Sequence, residues 1–215
     1  MSAARRAVFA IFCFCVCAHA QTRTLAVYSD SARHLNSSAL QALQTELQRI
    51  LIPAAIDATW IQPSKDKQAN PEVQLAVVGT FDGDCSVENL PQLQGRAIQT
   101  RTLAESSISS GHVLPFFRVD CDQVIRSLSP ALRSVSVPMR ERILGRALAR
   151  TIAHEIYHIL AQTTDHERTG IAKAVLTLSD LYSTRFDFSS ESLRRMAAPP
   201  SPNPSRDALA VLTRR

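Results

Sequence analysis

The stretch Pro138–Gln162, PMRERILGRALARTIAHEIYHILAQ, decides how this chain is read. Ile143, Leu144, Ala147, Leu148, Ile152, Ile156 and Ile159 recur at spacings of three and four, the period of an amphipathic helix. Pro138 suits the first turn of that helix, where its missing N–H would have no partner anyway. Glu141 and Arg142 fall on the solvated side. Near the C-terminal end stands His154-Glu155-Ile156-Tyr157-His158, an H-E-x-x-H pattern. Histidines four residues apart lie on one helix face, one turn apart, so two imidazole nitrogens can grip one Zn²⁺. Glu155, beside the first of them, is placed to take a proton from a zinc-bound water. The competing reading makes His154 and His158 hydrogen-bonded core residues; Glu155 would then be an expensive neighbour on a largely apolar helix.

A catalytic zinc takes three protein ligands and keeps one position open. His166 is the best third ligand, but only if the helix stops. Twelve further residues of helix would carry it about 18 Å along the axis. Thr163, Thr164 and Asp165 are poor helix residues and suit a reversal after Ala161 or Gln162. Asp165 and Glu191 are the rival third ligands, each through a carboxylate.

Outward from this helix, Thr24–Tyr28 reads as a strand and Ser38–Leu51 as a helix capped by Ser37 or Ser38. Ala55–Ile61 and Val73–Phe81 read as strands, the latter ended by Asp82-Gly83. Arg96–Leu103 is a weaker strand. Ser109-Ser110-Gly111 is a turn, and His112–Val119 a strand in which Pro115 implies an edge or a bulge. A short helix over Asp120–Leu128 is expected to stop before Ser129-Pro130. Short helices follow near Ser179–Tyr182 and Ser189–Met196, then a Pro- and Ser-rich tail over 197–215. The order predicts an α+β layered domain over 21–196, with helices behind a mixed sheet.

The first twenty residues read as a secretory signal. Arg5 and Arg6 form a basic start, Ala7–Ala18 an apolar stretch, and Ala18-His19-Ala20 a cleavage site before Gln21. The apolar run is too short for a membrane span. An exported protein, periplasmic or extracellular, is therefore expected, with no stable membrane span after cleavage. Cys13, Cys15 and Cys17 leave with the signal, and Cys85 and Cys121 are expected to form one disulfide. Its loop would contribute about 3–4 kcal/mol on a chain-entropy estimate. The net charge of +5 falls to +3 without Arg5 and Arg6. The arginines are scattered, without interleaved aromatics, which argues against a nucleic-acid partner.

The stretch His154-Glu155-x-x-His158-x₇-His166-x₃-Gly170-Ile171 resembles a family of zincin-type peptidases common in acidobacterial genomes. Their pattern is H-E-x-G-H-L-L-L-G, a third histidine twelve residues after the first, then G-I-M. They look like metzincin relatives with two extra residues between the second and third histidines. The similarity extends to Gly111–Phe116, Val119-Asp120-Cys121, Ser179-Asp180-Leu181 and Phe188–Glu191, about the second half of the chain. The resemblance implies His154, His158 and His166 as zinc ligands and Glu155 as general base. It also implies a mixed sheet with the active-site helix behind it and an edge strand lining the cleft. The chain departs from the family at Tyr157, where the motif usually has Gly, and at Ala172, where it has the methionine of a Met-turn. Met196 is a candidate substitute, though it reads more naturally as core. Gln162 replaces a turn-forming glycine, and a different turn is expected because Gln at positive φ is strained.

The expected function is a secreted zinc metallopeptidase acting on protein or peptide substrates, with Tyr182 and His112 as candidate stabilisers of the oxyanion. The alternatives are a zincin-fold domain without turnover, acting as a zinc-stabilised envelope module, a metal-independent envelope module, and a small-molecule amidase.

Overall fold

The computed structural model describes residues 22–30, 34–61, 73–87, 90 and 102–198. Five strands form one mostly parallel sheet in the order β2-β1-β3-β5-β4. They are β1 (Arg23–Ser29), β2 (Ile56–Ile61), β3 (Leu75–Asp82), β4 (Ala104–Ser109) and β5 (His112–Asp120). β1 pairs in parallel with β2 and β3, and β3 in parallel with β5. β4 alone runs antiparallel and forms an edge beside β5.

Helix α1 (Ser37–Leu51) carries the chain from β1 to β2 as a parallel crossover demands. Its Leu43, Leu47 and Ile50 are fully buried with Leu25 and Val27 of β1. α2 (Cys121–Leu132) follows β5, and α3 (Val137–Ala161) lies against α1. α4 (Leu178–Tyr182) and α5 (Ser190–Ala197) close the described chain. Cys85 and Cys121 are joined, tying the segment after β3 to the start of α2. No helix among the described residues is long and apolar enough to cross a membrane.

Some expectations are corrected, and others lie outside the described residues. Asn36, not Ser37 or Ser38, caps α1; its side chain accepts the Ala39 N–H at 2.8 Å. The strand expected at Arg96–Leu103 falls largely outside the described residues, and the ladder starts at Ala104. β4 is serine-rich and has little propensity of its own. Its pairing is imposed by the Ser110-Gly111 turn, where both residues have positive φ (49° and 77°), the geometry that suits a tight hairpin. Of the edge or bulge that Pro115 implied, the structure has the second: β5 is an interior strand, and Pro115 sits at a register irregularity opposite β4, before the β3 ladder begins at Phe116. α2 runs on through Ser129-Pro130 to Leu132, because a proline in the last turn removes one hydrogen bond without ending the helix there. α5 extends through Ala197, where a tail was expected to begin. The expected signal at 1–20 and the tail from 199 onward lie outside the described residues.

Helices α1 and α3 meet at Gly145. A Cβ there would stand 2.2 Å from the Ala39 carbonyl oxygen and 2.9 Å from the Leu43 nitrogen, both backbone. The same interface buries charge. Arg150 is fully buried, and its Nε and Nη2 donate to Glu46 Oε1 at 2.9 and 2.8 Å. Its Nη1 donates to the Asp180 and Leu181 carbonyls at 2.6 and 3.2 Å, fastening α4 to α3. Arg49 Nε donates to Glu46 Oε2 at 2.8 Å. Burial raises the Glu46 carboxyl, but the hydrogen bonds and charges of Arg49 and Arg150 outweigh it and hold it below the usual value.

Two stability predictions follow from this interface. Gly145→Ala should force the helices apart and lower stability by about 1–3 kcal/mol, read as an earlier urea midpoint. Glu46→Gln should cost about 3–5 kcal/mol at neutral pH by leaving Arg150 buried without its counter-charge. The Glu46 carboxyl is depressed in the fold, so its contribution is complete above the unfolded carboxylate range near pH 4.3 and is lost as pH falls through the lower folded value. The gap between wild type and Glu46→Gln should therefore narrow on acidification below about pH 4, measured by urea unfolding across pH.

Candidate metal centre

α3 runs for 25 residues and stops where the sequence needs it to. Gln162 takes the left-handed conformation (φ 48°, ψ 46°), so the turn expected to avoid this conformation adopts it. The backbone N–H groups of Gln162 and Thr163 both reach the His158 carbonyl. The Gln162 side-chain amide donates to the Ile159 carbonyl at 2.7 Å and the Val113 carbonyl of β5 at 2.9 Å. Glycine tolerates this conformation without cost, whereas glutamine holds it through two hydrogen bonds. Thr163 Oγ1 then accepts the Asp165 N–H at 3.0 Å, tightening the reversal.

The reversal returns His166 to the helix. Its ring centroid lies 5.2 Å from that of His154 and 4.8 Å from that of His158. One nitrogen from each of the three rings falls within 4.8 Å of the others, so the cluster can hold a metal ion. His158 is buried, His154 half-buried and His166 exposed.

Hydrogen bonding fixes which nitrogen of each α3 histidine faces inward. His154 Nδ1 lies 2.7 Å from the Ile171 carbonyl oxygen, and His158 Nδ1 lies 2.7 Å from that of Thr163. A carbonyl only accepts, so each Nδ1 carries the proton and each Nε2 presents a lone pair. The two Nε2 atoms face one another at 3.0 Å. Burial lowers the pKa of both rings, favouring the neutral form. Two lone pairs at that distance repel unless a cation lies between them. Nitrogens about 2.0–2.1 Å from a tetrahedral ion stand roughly 3.3 Å apart, close to the spacing found. The donor set therefore fits a divalent metal of imidazole preference.

Glu155 is buried beside the ligands, and Ser106 Oγ of β4 donates to its Oε2 at 2.6 Å. Burial raises its carboxyl pKa, and the Ser106 hydrogen bond opposes this only in part. The cluster opens on a cavity of about 610 Å³. Leu103, Ala104, Ser106 and Ile108 form one wall, and Ala174, Val175 and Leu176 another. His154, Glu155, His158 and His166 line it together.

The other candidates lie elsewhere. Asp165 is exposed and outside the cluster, and Glu191 is paired with Arg194 and Arg195 on α5. Tyr182 and His112 are exposed and do not line this cavity. Ala172 is fully buried, and Met196 packs in the hydrophobic core. Sequence reasoning missed Ser106 and the carbonyls of Thr163 and Ile171. A backbone carbonyl leaves no trace in residue type, and Ser106 is one of several serines in β4. No protein-family model and no curated protein matches this chain.

Zinc titration should give one tight site per chain. His166→Ala should weaken it by more than the roughly 10–100-fold that loss of a supporting group costs, while His112→Ala should leave it unchanged. Competition against a fluorescent chelator measures both.

Proposed function

We propose that this chain is an exported, zinc-dependent metallopeptidase with a zincin-like fold, acting on protein or peptide substrates. The observation that carries the reading is the buried Glu155 carboxylate beside three converging imidazoles at the mouth of an open cleft. Three imidazole nitrogens with a solvent-facing side match the ligand count of catalytic zinc. The ion, when bound, supplies Lewis acidity toward a carbonyl oxygen and lowers the pKa of water to about 7.

The remaining chemistry belongs to the chain. His154 and His158 donate Nε2, held in that tautomer by the Ile171 and Thr163 carbonyls. Glu155 takes a proton from water and passes it to the leaving amine. Ser106 fixes Oε2, so the proton moves at Oε1. Burial raises the carboxyl toward the range in which it can both accept and return a proton. β4 is the antiparallel edge of the sheet and borders the cleft through Ala104, Ser106 and Ile108. An extended peptide can add to such an edge through main-chain hydrogen bonds. The apolar walls would then accept side chains that flank the scissile bond. The Cys85–Cys121 pair is compatible with an oxidising compartment.

Ala172, in place of a methionine beneath the site, favours the second reading: a zinc-stabilised binding module without turnover. Tight zinc binding with no cleavage across a broad peptide library would select it.

Glu155→Gln should retain zinc and lose about 10²–10⁴-fold in peptide hydrolysis, followed with a quenched-fluorescence peptide library. Full activity in that variant would sink the proposed role of Glu155.

A further inference from the structure

The segment that orients His154 has little regular structure of its own. Gly170 and Ile171 lie between the reversal and α4, and their backbone rests on the strip 187–189. A Cβ on Gly170 (φ 73°) would stand 2.8 Å from the Asp187 carbonyl oxygen and 2.9 Å from the Ser189 nitrogen. Ile171 N donates to that Asp187 carbonyl at 3.1 Å, while the Ile171 carbonyl accepts the His154 Nδ1 proton at 2.7 Å. Asp187 is thus one anchor of the segment that carries the His154 acceptor, beside the Glu167 N–H to Ala172 carbonyl bond at 2.9 Å.

Asp187 is gripped from α1. Arg49 Nη1 donates to Asp187 Oδ1, and Arg49 Nη2 donates to the neighbouring Phe186 carbonyl at 2.9 Å. The guanidinium is itself held by both oxygens of Glu46, at 2.8 and 2.9 Å. Glu46 in turn is fixed by Arg150, which lies one helical turn before His154 on α3. The chain of contacts therefore starts and ends on α3. It clamps the Ile171 carbonyl to the helix that presents the imidazole.

We propose that Arg49 is a positioning residue for the metal centre, acting through Asp187 and the Ile171 carbonyl to set the ring orientation of His154. The inference rests on the metal site proposed above. A guanidinium suits the role because its planar fork reaches a carboxylate and a carbonyl at once, which a lysine ammonium does with less geometric definition. An ordinary surface ion pair would affect stability slightly and metal binding not at all.

The test compares the full-length protein with Arg49→Ala, Arg49→Lys and Asp187→Asn. Leu43→Ala, a core truncation of the same helix outside the network, is the control. Zinc affinity is measured by chelator competition, ligand-field geometry from the visible spectrum of the cobalt-loaded protein, and stability by urea unfolding. Arg49→Ala should weaken zinc binding on the order of 10-fold and alter the cobalt spectrum. Arg49→Lys should recover part of both, and Asp187→Asn should shift both in the direction of Arg49→Ala. Leu43→Ala should lose at least as much stability with zinc affinity unchanged. Should Arg49→Ala not fold, Asp187→Asn decides, since it leaves the Arg49–Glu46 pair in place. Zinc affinities within twofold of wild type in the folded network variants, with unaltered cobalt spectra, overturn the role of Arg49 and leave the metal site standing. A wild-type protein that binds neither zinc nor cobalt overturns both.

Discussion

The histidine cluster depends on a reversal of the chain in the four residues after α3. Helical continuation would carry His166 about 18 Å away along the axis, so the cluster requires α3 to end by Gln162. A left-handed residue of ordinary type costs on the order of 1–2 kcal/mol. Here the cost is offset where it arises: the Gln162 amide donates to Ile159 behind it and Val113 across from it. The turn also serves the helix it ends. Gln162 and Thr163 satisfy the His158 carbonyl, while the Thr163 carbonyl takes the His158 Nδ1 proton. Returning one imidazole and fixing the tautomer of another are done by the same four residues.

A second constraint is the burial of polar groups along α3. Arg150, Glu155 and His158 lie in or against the core, and each desolvated group needs a partner or costs free energy. Arg150 finds Glu46, Glu155 finds Ser106, and His158 finds Thr163. Such pairs add little net stability over apolar residues of the same size, but they are expensive to break singly. Their effect is on geometry. The segment from Gly170 to Ser189 buries Ile171, Ala172, Leu181 and Phe188 in the core, and guanidinium contacts to its carbonyls and carboxylates also fasten it to α1 and α3. That arrangement fixes backbone positions more closely than non-directional apolar contact does.

Legibility in the sequence followed the range of the forces involved. The period of α3 and the histidine spacing within it are local, and both were readable from Ile143 to Ile159. His166 was readable as the third member of the cluster because Thr163, Thr164 and Asp165 disfavour helix. The conformation of Gln162 was not, since the residue type argues against it and the compensating contact comes from β5, 49 residues away. Pairing of Glu46 with Arg150 spans 104 residues, although a glutamate between Leu43 and Leu47 on an apolar helix face was a visible sign that something buried must meet it. β4 was not read from the sequence, because its serine-rich side chains carry little strand propensity and its pairing joins it to β5 through the Ser110-Gly111 turn. For Tyr182 and His112 the residue types suited the chemistry, but placement is a tertiary property that side-chain type does not carry.

The gradient of exposure across the three histidines bears on what the centre does. A metal that only staples a fold is normally closed by four protein ligands. Among the described residues, this cluster offers three, passing from buried His158 through half-buried His154 to exposed His166. The open side faces a cavity of about 610 Å³ bounded by a sheet edge. Glu155 borders that same cavity, although a carboxylate serving only to pack α3 would be replaced at lower cost by an apolar side chain. A structural role for the metal accounts for the histidines but leaves the cleft and the glutamate without a reason. The proposed hydrolysis would account for all three, because it needs a ligand position open to water, a base beside it, and room for an extended chain.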